Sequence, residues 1–200
     1  MAIETDKINH HNKTGDAFRD IICGHCGTKV AAREIANYLP SKNWSFFVIC
    51  PSCNKGSLII KDLGSQATIN YPGHLPGEDL IGLPEDVKKA YQEARNCFAI
   101  NAFTSCELMC RKILMHVAVE KGANTNISFA DYISYLETEG YITPPIKTWA
   151  DKIRSNANES THELMFPNQN RAENTFQFTM MLLRIIYEME HKANELNPEE

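Results

Sequence analysis

The chain has 200 residues, of which 43% are hydrophobic and 22% charged, a globular composition that excludes wholesale disorder and fibrous repeats. No apolar run approaches the roughly 20 residues of a membrane span, and residues 1–7 lack the basic-then-apolar layout of a secretion signal; a cytoplasmic protein without a membrane partner is expected. The net charge of −5 is the wrong sign for a protein living on non-specific phosphate attraction, which leaves a local basic patch as the only electrostatic route to nucleic acid.

Residues 1–18 are polar and read as a flexible N-terminus. From residue 19 to residue 71 the pattern is short runs rich in β-branched and aromatic residues, namely 44–49, 57–60 and 67–71, separated by turn residues. Residues 72–84 hold three prolines and three glycines and read as a linker without regular structure. Beyond Pro84 the apolar period becomes helical. Val87, Tyr91, Ala94 and Phe98 mark a first helix ending near Asn101, and a second runs from about Ala102 to Glu120 with Gly122 as its stop. Ser128 caps a third helix and Thr143-Pro144 opens a fourth, while Asn170 with Glu173 forms a capping box for a long fifth. The expected fold class is therefore α+β: a small β domain over 19–71, a linker, an all-α bundle of about five helices over 85–191, and a tail over 192–200.

Seven cysteines are present, so complete disulfide pairing is impossible. Four form Cys-x-x-Cys pairs, Cys23/Cys26 and Cys50/Cys53, each able to place two thiolates on one ion from a tight turn. Gly27 and Asn54 follow the pairs and tolerate the left-handed backbone such a turn needs. The 23 residues between the pairs leave room for a hairpin, and four soft ligands select zinc, with iron as the competing metal. One structural Zn²⁺ per chain in a zinc ribbon is the leading reading; a two-disulfide domain and a redox pair are the alternatives. Cys97, Cys106 and Cys110 fall in helical sequence and read as core packing. Charge divides the same way: residues 19–61 carry six Lys and Arg against two Asp and Glu, and residues 84–190 carry eleven against fourteen. The N-terminal module is the better candidate for nucleic-acid contact.

In the fourth helix Arg154, Asn158 and His162 recur at i, i+4 and i+8 and so share a face. Arg111 interrupts the apolar second helix, where partial burial requires acceptors. Together, Leu83-Pro-Glu-Asp-Val87, Tyr91-x-Glu93-Ala94, Cys110-Arg111 and Ile153-Arg154-x3-Asn158-x3-His162 make residues 72–190 resemble a prokaryotic domain-of-unknown-function family of the HEPN-like helical group, whose members occur alone or fused to restriction and anti-phage proteins. The resemblance implies a cytoplasmic homodimer acting in bacterial defence on nucleic acid, RNA before DNA, or on a defence-system protein. It further implies metal-independent RNA cleavage, with His162 as general acid or base, Arg154 on the scissile phosphate, Asn158 orienting either, and Arg111 in support. The competing reading is a non-catalytic interaction and dimerisation module, its polar helix face paired with Glu93 and Glu107.

Overall fold

The computed structural model describes residues 8–10, 17–39, 42–66, 68–159 and 166–196. The chain divides into two units, Met1–Leu75 and Pro76–Glu200, and has the α+β architecture that the period change at Pro84 implies.

The first unit is one antiparallel sheet of six strands: β1 (Ile8–His10), β2 (Phe18–Ile22), β3 (Lys29–Tyr38), β4 (Asn43–Ile49), β5 (Gly56–Asp62) and β6 (Thr68–Tyr71). The order is β1-β3-β4-β5-β6, with β2 sharing the outer edge of β3. Strands β4, β5 and β6 coincide with the β-branched runs. The ten-residue β3 is a difference, because Lys-Val-Ala-Ala-Arg-Glu-Ile-Ala is rich in helix formers. It is a strand because it is paired along both edges, by β1 and β2 on one side and β4 on the other; pairing overrides intrinsic preference there.

Period-two alternation gives the sheet an inner and an outer face. Cross-strand partners Phe46 and Ile59, and Val48 and Ser57, point inward, and the buried core is Ile21, Ala32, Phe46, Val48 and Ile59. Among the described residues this five-member apolar cluster is small for a unit of this size.

The second unit is helical: α1 (Glu85–Ala99), α2 (Phe103–Glu120), α3 (Phe129–Thr138), α4 (Pro144–Glu159), α5 (Gln169–Leu183) and α6 (Met189–Leu196). A π-helical turn, Arg184–Glu188, joins α5 to α6, so the last helix runs on continuously. Ser128 and Asp131 form a reciprocal capping box on α3. The cap of α5 lies two residues before the one expected: Asn168 accepts from the Arg171 amide at 2.9 Å, because α5 already starts at Gln169. Twenty-four buried residues form a single core, with Phe176, Phe178, Leu114 and Leu136 fully enclosed.

Residues 72–84 contain neither helix nor strand, and their second half packs on the helices. Leu80 is in the core. Tyr91 donates to the Glu78 carbonyl at 2.8 Å, Arg95 donates to the Pro76 carbonyl at 2.9 Å, and Arg95 also pairs with Asp79. Gly77 has φ +67°, and a Cβ there would meet Met180, Phe176 and Tyr91 at under 3 Å, so this strap needs glycine.

Candidate functional site

Two matching turns build the cysteine cluster. In the first, the Cys23 amide donates to the Thr28 carbonyl at 3.0 Å and the Gly27 amide to the Cys23 carbonyl at 2.8 Å; in the second, Cys50 to Lys55 at 3.0 Å and Asn54 to Cys50 at 2.9 Å. Gly27 at φ +70° and Asn54 at φ +57° take the left-handed positions. The four sulfurs lie within 4.8 Å of one another. Sγ of Cys23 is 3.8 Å from that of Cys53, and Sγ of Cys26 is 3.9 Å from that of Cys50. A disulfide needs about 2.05 Å. Thiolates at about 2.3 Å from one central ion stand about 3.8 Å apart along a tetrahedral edge. The cluster therefore has the shape of a metal site, and its cysteines are not disulfide-bonded.

The electrostatics of the four thiols differ. Burial pushes Cys23 up to about 12, so a cation is what would make it a thiolate. Cys26 is exposed, and hydrogen bonding from Thr28, 3.4 Å away, pulls it down to about 6. The His25 amide donates to Cys23 Sγ at 3.4 Å, while its ring Nε2 lies 3.0 Å from the Gly56 carbonyl. His25 is thus no ligand; it ties the first turn to the strand leaving the second.

The outer face of the sheet carries exposed apolar groups. Phe18, Ile22, Phe47, Leu58, Ile69 and Tyr71 are between 38% and 55% exposed. Phe47, Leu58 and Tyr71 are direct cross-strand neighbours on β4, β5 and β6. On β3 the exposed Lys29 and Arg33 share this face, Arg33 lying opposite Phe18, and Asp20 is its acidic exception.

The inner face holds a cleft of about 210 Å³ lined by Arg19, Trp44, Phe46, Lys61 and Asn70 among others. The Arg19 guanidinium lies 4.0 Å from the Phe46 ring centroid and 5.3 Å from that of Trp44, and its Nε donates to buried Glu34 at 2.7 Å. Nothing in the local sequence marks Arg19 or Asn70, since only the strand register brings them beside Trp44.

In the helical unit Arg154 donates to Ser134 Oγ at 3.1 Å and pairs with Asp151. Asn158 is within α4, whereas His162 lies outside the described residues, so the structure places Arg154 alone of that trio's side chains. Glu107, offered above as a partner for that helix face, instead makes a two-pronged pair with Arg171 at 2.8 and 2.9 Å. Arg111 is half-buried with its guanidinium 4.9 Å over Phe129; burial lowers its pKa and Glu107 partly offsets this. Cys106 and Cys110 are fully enclosed in the core. Among the described residues no helix is long and apolar enough to cross a membrane.

The sequence model of one family, the Domain of unknown function (DUF4145), matches residues 92–199. The chain belongs to this family. Its match covers most of the helical unit and leaves the sheet and cysteine cluster outside. No curated protein and no solved structure matches the chain.

Proposed function

We propose that this DUF4145 protein recognises single-stranded nucleic acid, RNA before DNA, through a zinc-stapled sheet, and that its helical unit is a HEPN-like bundle that pairs two chains. The observation that carries the reading is the outer face of the sheet. Exposed rings on alternate strands, Phe18 on β2, Phe47 on β4 and Tyr71 on β6 with Leu58 between the last two, give bases a surface to stack on, and cations beside them answer the phosphates. The surplus of Lys and Arg over residues 19–61 supports it. Zinc is preferred over iron because a closed, tetrahedral, four-thiolate shell is its usual structural arrangement. When bound it supplies folding energy and no open coordination position; Cys23, Cys26, Cys50 and Cys53 would hold it. In the defence setting implied by the resemblance, the chain would serve as the nucleic-acid-sensing component.

Binding is favoured over cleavage, because Arg154 is already committed to Asp151 and Ser134. Fluorescence anisotropy with a labelled single-stranded RNA tests the proposal. Affinity should fall steadily as salt rises, and Arg33→Ala should flatten that slope by about one unit. Phe47→Ala and Tyr71→Ala should each weaken binding about tenfold, the scale of one lost stacking contact. Equal binding of duplex and single strand, or indifference to these substitutions, would refute the face as the reader. RNA degradation in EDTA that His162→Ala abolishes would place chemistry in the helical unit instead.

A further inference from the structure

On the outer face of the sheet the direct partner of Phe47 across to β5 is Leu58, yet its ring reaches the diagonal neighbour, Gly56. A Cβ placed on Gly56 would stand 2.8 Å from Cζ and 3.2 Å from Cε2 of Phe47, and 3.6 Å from Cδ1 of Ile49. Carbon atoms pack at roughly 3.5–4.0 Å, so the tip of the ring already fills the space that a side chain at 56 would take. The backbone of Gly56 is not among those at positive φ, so its dihedral angles do not call for glycine. Glycine inside a strand weakens it and marks a place of close approach; here the group that approaches is the phenyl ring.

The floor under the ring is held from both cysteine turns. The Gly56 carbonyl lies 3.0 Å from His25 Nε2, and the carbonyl of Lys55, one residue earlier, accepts from the Cys50 amide at 3.0 Å. In register, Ile49 stands between Gly56 on β5 and the exposed Arg33 on β3, which puts a cation in the same row as the ring tip. A ring that leans to a diagonal neighbour lies low along the sheet. It turns a face outward, where an upright ring would offer an edge. Phe47 is 45% exposed, so that face is open to solvent.

We infer that Gly56 is a positioning residue for RNA binding: by lacking a side chain it lets Phe47 recline into a platform for one base, with Arg33 beside it for the phosphate. This placement rests on the stacking reading proposed above and names where on that face a base sits.

Fluorescence anisotropy with single-stranded RNA and proton NMR of the intact, metal-loaded protein test it together. Gly56→Ala should weaken binding about fivefold and the bulkier Gly56→Val about tenfold, the full scale of one lost stacking contact. Neither should weaken it further in a Phe47→Ala background, because the ring they displace is then gone. The displaced atoms are the far end of an exposed side chain, so metal content and melting temperature should not fall. In the parent chain the Gly56 Hα resonances should lie upfield, shielded by the face of the ring, and should return to ordinary positions in Phe47→Leu. That signature is read on the parent and so tests the inference even if a Gly56 variant loses its metal. Gly56 variants that bind like the parent while Phe47→Ala binds weakly would overturn the positioning role and leave the stacking face standing. A loss undiminished by Phe47→Ala, or Gly56 Hα resonances that Phe47→Leu does not move, would overturn it as well. Binding indifferent to Phe47→Ala would remove the stacking face and the platform together.

Discussion

The two units solve the problem of staying folded in different ways. The helical unit encloses twenty-four buried residues and adds a strap clipped down through Arg95 and Tyr91. Among the described residues the apolar core of the sheet unit has five, and four sulfurs gather into a cluster. One is held by buried area, which acts between all its elements at once; the other, under the proposed metal binding, gains a point contact between two turns. Both units leave large apolar side chains exposed, Phe18, Phe47 and Tyr71 on the sheet and Ile100, Leu108 and Met189 in the helical unit.

The largest expected effect breaks the sheet unit alone. Cys50→Ser removes a buried ligand, so the chain should lose its metal and the protection of the sheet amides, with the helical signal in circular dichroism retained. Metal analysis with far-ultraviolet spectra checks this. Next, Leu114→Ala opens a cavity in the helical core and should lower its stability by about 3–4 kcal/mol in thermal unfolding, with metal content unchanged. The smallest effect concerns the π turn. Lys192 first and then Arg184 hold the Glu188 carboxyl below its ordinary 4.5. A carboxyl depressed in the folded state contributes its stabilisation above pH 4.5 and loses it as pH falls through the lower folded value. Melting curves between pH 6 and 3 should therefore show an acid-side loss of stability that Glu188→Gln diminishes.

What could be read from the residues follows the range of the forces involved. The two cysteine turns need only local spacing and a residue tolerant of positive φ, and Gly27 and Asn54 supply it. Helices α1 to α4 carry their period and stop signals in the chain itself. Strand β3 does not, because what makes it a strand is its pairing with three distant segments. Residues 72–84 form no helix or strand, and nothing local announces that Arg95 and Tyr91 hold their second half. The same limit hid the inner cleft: Arg19, Trp44, Lys61 and Asn70 are scattered over four strands and meet only through register. Arg154 shows the reverse case, where spacing drew attention to a cation that Asp151, three residues earlier, already engages.

The account rests on the sheet being held by its metal while the helices hold themselves. Amide hydrogen exchange of the intact chain, before and after a zinc chelator, measures this directly. The account predicts that β2 to β6 lose protection on chelation while α1, α2 and α5 keep theirs. Sheet amides that stay protected without metal, or both units opening together, would contradict it.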